Sequence, residues 1–250
     1  MEVPLRVAVV GGGASGNAIA RAITAQGVDA KLFSRSTGFD VLRDDAVARL
    51  TPADVIVEAT GHFTTSRKRA TDFFVRSTKA VSAAARAAGA RHILLSIVNC
   101  DLPEVQGYGY FAGKTAQERV AREESGDNLT IVRSTQWFDF PAQNLERMKF
   151  GPFALVPKMK MKPVALDAVA NVIAECVTGV RTGAVVEVAG PEVMTLWDMT
   201  NQLPHKSAKP LSLPIPGSMG RAFRDGILVP GDDTEVAGPR FNEWLAAAAT

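Results

Sequence analysis

The stretch that most constrains this chain lies at its start. Leu5-Arg6-Val7-Ala8-Val9-Val10 runs directly into Gly11-Gly12-Gly13-Ala14-Ser15-Gly16, and then into Asn17-Ala18-Ile19-Ala20-Arg21-Ala22. A short valine-rich run of this kind reads as a parallel strand buried on both faces. The alanine-rich run after the glycines reads as a helix over about 15–26, with Gly27 as its left-handed cap. Gly11, Gly13 and Gly16 match G-x-G-x-x-G in the strand–turn–helix setting that gives the spacing its meaning. Glycine is required there because the turn is tight, a pyrophosphate must approach the backbone, and the helix must pack close to the strand. The helix start, with Ala14, Ser15 and Asn17, adds unpaired N–H groups and a positive dipole end. Residues 11–17 therefore read as a cradle for the phosphates of a dinucleotide.

The rest of the chain alternates strand and helix. Apolar runs at 30–34, 54–59, 92–98 and 129–134 predict strands, and residues 39–42 predict a short strand or a connection. Helices are expected over 71–88 and 110–124, ended by Gly89 and Gly126. Such alternation implies an α/β fold: a Rossmann-like, doubly wound parallel sheet. After Gln136 the rhythm changes. Residues 137–141 read as an aromatic loop, and alternating Lys158, Lys160 and Lys162 suggest a strand with one solvated face. A helix is expected over 166–176, a strand over 185–191, a short helix over 195–203, a proline-rich loop over 204–220 and a last helix over 241–249. We read 1–250 as a single dinucleotide-binding domain, with a small substrate-binding region built mainly from 137–163 and 191–250.

Three further groups carry chemistry. Where an acidic residue would hold a ribose 2′-hydroxyl, the second strand ends in Ser34-Arg35-Ser36. No carboxylate there repels a 2′-phosphate, and Arg35 can pair with one, so NADP(H) is preferred over NAD(H). The strand at 54–59 exits through Thr60-Gly61, small residues at the carboxyl edge where ligands bind in such sheets. Tyr110-Phe111-Ala112-Gly113-Lys114 forms Y-x-x-x-K at a helix start, and Ser96 ends the preceding strand. Residues i and i+4 share a helix face, so Lys114 can lower the Tyr110 phenol from about 10 and hydrogen-bond a nicotinamide ribose. Tyr110 would then give a proton to a carbonyl oxygen that Ser96 holds. Trp137, Phe138 and Phe153 are candidate apolar walls of a substrate pocket.

Composition narrows the alternatives. A net charge of +2 gives no reason to expect nucleic acid or an anionic membrane, and no run is long enough to span a bilayer. No signal-peptide pattern opens the chain, and Cys100 and Cys176 lie far apart without a CxxC partner, so a reduced, cytoplasmic protein is expected. His62, His92 and His205 are isolated from each other and from cysteine, so no metal site is expected. Ser66-Arg67-Lys68-Arg69 reads as a solvated loop or helix start rather than a binding patch.

Taken together, the sequence resembles the short-chain dehydrogenase/reductase superfamily in its atypical, NmrA-like NAD(P)H-binding branch. The matching segments are the glycine turn 11–16, Ser34–Ser36, Ala87–Ser96, and Tyr110–Lys114 running into Gln117-Glu118. Thr130–Phe138, Pro163–Ala170 and Val188–Glu192 complete them, and Ile19 stands where the superfamily often has a further glycine. The resemblance implies that Gly11, Gly13, Gly16 and Arg35 contact the cofactor and that Lys114 reaches the nicotinamide ribose. It implies either an NADPH-dependent reductase of a small apolar carbonyl, enone or quinone, as monomer or homodimer, or a non-catalytic NADP(H)-binding redox sensor.

Overall fold

The computed structural model describes residues 4–248. The chain divides into two compact units: residues up to Arg133 with Val169–Val186, and Ser134–Ala168 with the chain from Glu187 onward. The first is built from β1 (Arg6–Val10), α1 (Ala14–Ala25), β2 (Asp29–Phe33), α2 (Ala46–Leu50), β3 (Val55–Glu58), α3 (Arg67–Ala88), β4 (Arg91–Ile97), α4 (Gly109–Ser125) and β5 (Leu129–Ser134). There follow α5 (Phe140–Arg147), β6 (Lys149–Phe150), β7 (Phe153–Pro157), β8 (Lys160–Met161), α6 (Leu166–Thr178) and β9 (Val185–Ala189). The chain ends with β10 (Met194–Thr195), α7 (Leu196–Gln202), β11 (Lys209–Leu213), α8 (Gly217–Asp225), β12 (Glu235–Val236) and α9 (Phe241–Ala247).

Seven strands form one sheet in the order β12-β9-β5-β4-β3-β1-β2. β1 lies between β2 and β3 and pairs with both in parallel, Val9 opposite Leu32 on one side and Val57 on the other. The order reverses here, because the chain moves outward to β2 and then returns past β1 to β3. That reversal opens a crevice beyond the carboxyl ends of β1 and β3. Val7 to Val10 and Val55 to Val57 are buried, as strands covered on both faces must be. One face of the sheet packs Ala8, Val10, Ile56, Phe33 and Phe39 against Val81, Ala84 and Ala85 of α3. α4 approaches α3 so closely that a Cβ on Gly113 would lie 2.7 Å from the Phe74 ring.

The expected alternation holds throughout the first unit, with ends displaced by a few residues. Residues 39–42 form a connection, turned by the Asp40 carboxylate accepting the Leu42 amide at 3.0 Å. Ser66 caps α3, so the basic run opens a helix. More regular structure exists after Gln136 than periodicity suggested. The aromatic loop 137–141 gives way to α5 at Phe140, and the lysine alternation yields a strand only at Lys160–Met161. The proline-rich stretch 204–220 contains β11 and the start of α8. Pro210 is tolerated in β11 because that strand is at the edge of its three-stranded sheet, β11-β7-β6. The expected final helix is present as α9; its last expected residue, Ala249, lies outside the described residues. Among the described residues no helix is long and apolar enough to cross a membrane.

In the second unit, Phe138 is 1% exposed and packs edge-on against Phe241 at 5.2 Å and at a tilt against Trp244 at 5.6 Å. Phe138→Ala should leave a cavity there and cost about 3–5 kcal/mol of stability by urea denaturation. A loss under about 1 kcal/mol would show that the ring is not part of the core.

Candidate functional site

The glycine turn is packed, not loose. Gly11 has φ +125°, and a Cβ on it would lie 2.5 Å from the Ala59 carbonyl oxygen at the exit of β3. A Cβ on Gly16 would collide with the Gly11 carbonyl oxygen. These two glycines therefore make the tight turn and the close helix–strand contact. Gly13 differs: its φ of −76° is ordinary, and a Cβ there would meet nothing within 4 Å. The space beside Gly13 is open, so of the three glycines two are held by protein contacts and one is not. Ile19, in the place of a further glycine, is fully buried in the core.

α1 begins at this turn with Gly13 as N-cap. No side chain caps it, and no acidic residue lies in its first turn. The first-turn N–H groups of a helix have no intrahelical acceptor, so this end suits an anion. Asn17 is exposed, and its amide donates to the carbonyls of Gly12 and Gly13 at 3.0 and 2.9 Å, tying the turn down. Ser15 is buried and Ala14 exposed.

The end of β2 lies directly against the turn, since a Cβ on Gly12 would fall 2.5 Å from Ser34 Cβ. Ser34 is buried; its hydroxyl lies 2.8 Å from that of Ser36, and Thr37 caps its backbone N–H at 2.9 Å. Arg35 is exposed and forms no ion pair among the described residues. Thr60 follows β3 with its hydroxyl on Glu58 Oε1 at 3.0 Å, and Gly61 is exposed with open space beside it. Residues 11–16, 34–36 and 60–61 are thus gathered at the carboxyl edge of β1, β2 and β3.

Tyr110, Lys114 and Ser96 are distributed differently. Tyr110 packs edge-on against Phe74 at 5.7 Å, and Lys114 Nζ sits 4.7 Å over the same ring. Lys114 is 3% exposed; it donates to the Leu95 carbonyl at 2.9 Å and to Gln117 Oε1 at 2.8 Å. Burial draws its ammonium down to about 8, against the opposing pull of Glu58, Cys100 and Glu118. Ser96 belongs to another cluster. Its hydroxyl bonds the Glu118 carboxylate and lies 3.8 Å from Cys100 Sγ. The structure therefore brings Tyr110 and Lys114 together on Phe74, while the Ser96 hydroxyl, one residue beyond the carbonyl that Lys114 bonds, is turned to Glu118 and Cys100. In the second unit, Trp137 Nε1 donates to Ser134 at 3.1 Å, and Phe153 lies 6.0 Å from Phe150.

Two buried carboxylates were not foreseen. Glu118 meets Arg133 at 2.6 Å and Arg122 at 2.9 Å. Burial works to raise its pKa, but the bonds from Arg133 and Ser96 outweigh that and hold the carboxyl below its usual range. Bonding to Glu118 raises the Arg133 guanidinium in turn. Burial and the Glu118 charge push the Cys100 thiol up to about 12, so it is inert as a nucleophile. Glu58 is 0% exposed and faces His92 at 3.2 Å. Burial would raise it too, yet His92, Thr78 and Thr60 bring it below the ordinary value. The sequence signal for Glu58 was available: a carboxylate ending an otherwise apolar strand.

No family model matches the chain, and no curated protein matches it at the sequence level. Solved structures do. A dTDP-4-dehydrorhamnose reductase from Clostridium acetobutylicum superposes with TM-score 0.69 at 13% identity, over 98% of this chain and 100% of that one. An NADPH-dependent quinone oxidoreductase from Escherichia coli, in complex with NADPH, gives TM-score 0.65 at 17% identity, over 98% and 100%. A short-chain dehydrogenase/reductase superfamily protein from Agrobacterium tumefaciens with bound NAD gives 0.63 at 16%, over 98% and 96%.

The sign of the acid dependence follows from the two depressed carboxyls. Each contributes stability that is present above its unfolded value near 4.5 and is lost as pH falls through its folded value. Arg133→Ala should cost about 3 kcal/mol near neutrality, because Glu118 is left buried with only Arg122. The gap between wild type and variant should narrow as urea denaturation is repeated below pH 4.5, and a constant gap would contradict the pairing. In its architecture, the chain has the Rossmann-like fold of these reductases and short-chain dehydrogenases.

Proposed function

We propose that the protein binds NADP(H) at the carboxyl edge of β1–β3 and is an oxidoreductase acting on a small apolar carbonyl, enone or quinone. The observation that carries this reading is the open face of Gly13 beside an uncapped helix end, with Ser34 packed against the turn at Gly12 and Arg35, exposed and without an ion pair among the described residues, following it. The pyrophosphate would rest on residues 13–16, where a side chain would otherwise intrude. Arg35, with Ser34 and Ser36, would hold the 2′-phosphate. Two of the structures that share the fold hold such cofactors, NADPH in one and NAD in the other. The choice of NADP(H) here rests on Arg35 and on the missing acidic residue.

When bound, the nicotinamide supplies the hydride. The chain's own task is then to supply a proton and to hold the cofactor. Tyr110 is the proposed proton donor, and Lys114, beside it on the Phe74 ring, is the proposed ribose ligand. Residues 137–163 and 191–250 are assigned to substrate recognition, Trp137 and Phe153 among them.

A second reading, an NADP(H)-dependent redox sensor without turnover, is favoured by one observation. The Ser96 hydroxyl is committed to Glu118, so it is not held ready for a substrate oxygen. Both readings require the cofactor and separate on the phenol. Tyr110→Phe should abolish NADPH oxidation across a quinone and aldehyde panel while leaving the NADPH dissociation constant unchanged. Full activity in that variant would remove Tyr110 as proton donor, and a wild type that binds NADPH but turns over nothing in the panel would favour the sensor. Arg35→Ala should weaken NADPH by about 10- to 100-fold, as loss of a charged hydrogen bond does, and leave NADH nearly unaffected. Equal losses for the two would remove the case for 2′-phosphate recognition.

A further inference from the structure

Glu58 ends β3 with no exposure at all. Its Oε1 accepts from Thr78 at 2.8 Å, Gln117 Nε2 at 2.8 Å, Thr60 at 3.0 Å and Ser77 at 3.3 Å. Its Oε2 faces His92 Nε2 at 3.2 Å, off the line of a hydrogen bond. A carboxylate removed from water this completely is costly to keep, and its bonds show where its charge is delivered. Thr78, Ser77, Thr60 and His92 surround it. Gln117 alone of these partners carries the network on to a second buried charge, because its other amide atom, Oε1, accepts from Lys114 Nζ at 2.8 Å.

The amide is a directional bridge. Glu58 accepts only hydrogens, so it takes the NH2 end of Gln117 and turns the carbonyl end toward Lys114. Reversed, the amide would set NH2 against an ammonium. Lys114 is further fixed by the carbonyl of Leu95 at 2.9 Å, the residue of β4 that precedes Ser96. We propose that Glu58 is a positioning residue for Lys114, acting through the Gln117 amide to hold the ammonium against Leu95 at the carboxyl end of β4. Its functional meaning, though not the positioning itself, rests on the reading that Lys114 meets the cofactor ribose.

The charges around Lys114 come from three directions. Glu58 faces it from β3, Cys100 from the turn after β4 and Glu118 from its own helix, while α3 contributes the uncharged Phe74 ring. Behind these, His92 faces Glu58, and Arg133 and Arg122 face Glu118. Burial works against the charged lysine, and Glu58 is the first of the groups that oppose burial. Removing its charge, or cutting the bridge, must therefore favour the neutral amine.

The test reads the lysine directly. In the intact apo protein, labelled at lysine Cε, the Lys114 signal is assigned by its loss in Lys114→Met and titrated by NMR. Wild type should titrate near 8, and both Glu58→Gln and Gln117→Met should lower the midpoint by about one unit or more. Gln117→Met leaves Glu58 on His92 and Thr78, so it decides the matter if Glu58→Gln does not fold. An unchanged midpoint in a folded variant overturns the proposal. A role in stability alone would lower the melting temperature without moving this midpoint. NADPH titrations from pH 7 to 9 supply the second arm. Wild-type affinity should fall as Lys114 loses its proton, the fall should begin at lower pH in both variants, and Lys114→Met should be flat. If Lys114→Met binds NADPH as tightly as wild type at pH 7, the ribose assignment fails, while the NMR midpoints still decide the role of Glu58.

Discussion

The structure depends on how closely three pieces of backbone meet beyond the end of β1. Gly11 sits on the Ala59 carbonyl at the exit of β3, and Gly16 sits on the carbonyl of Gly11. Neither contact leaves room for a Cβ. Because both hold, the first turn of α1 is drawn down onto the sheet at the point where strand order reverses. Its N–H groups, which have no intrahelical acceptor and no side-chain cap, are thereby held at the carboxyl edge of the sheet. Asn17 closes the arrangement by bonding back to Gly12 and Gly13. The free space at Gly13 results from this packing: the flanking glycines are filled by protein, and that one is not.

Buried charge is the second organising feature, and two carboxylates handle it differently. Glu118 is neutralised at once by Arg133 and Arg122, which reach water on their outer sides. Glu58 has no arginine or lysine directly on it. It is held by hydroxyls, the Gln117 amide and His92, all within the first unit. Such a network is expensive unless every member is satisfied. Its continuation to Lys114 relates the sheet interior to the residue that the motif singled out.

Much of the first unit was legible because its signals are local. A valine run, a glycine turn and a helix closed by Gly27 are specified by neighbours in sequence, and so were β5 and the caps at Gly89 and Gly126. The meeting of Gly11–Gly16 with Ser34–Ser36 was legible for the same reason, since each follows one of two consecutive strands. The second unit was harder to read. β6, β8, β10 and β12 have two residues each, too few for a period to show. Pro210 argued against a strand that exists only because its partner, β7, lies more than fifty residues earlier in the chain. The convergence of Ser96 with Tyr110 was read from spacing along the chain, and spacing did not show that Glu118, one turn of α4 beyond Lys114, is an acceptor for the serine hydroxyl. Spacing cannot reveal a competing acceptor that arrives from another element.

The claim on which all of this rests is that the space at Gly13 belongs to a dinucleotide. Its most direct test is a fluorescence titration of NADPH against wild type and Gly13→Val, with thermal unfolding measured on both. Since a Cβ at that position meets nothing within 4 Å and the backbone angles there are not in the left-handed region, the variant should stay close to the wild-type melting temperature. It should lose NADPH affinity by at least about tenfold, because the valine occupies the place of the phosphates. Equal affinity in the two proteins, or no binding by wild type, would contradict the account.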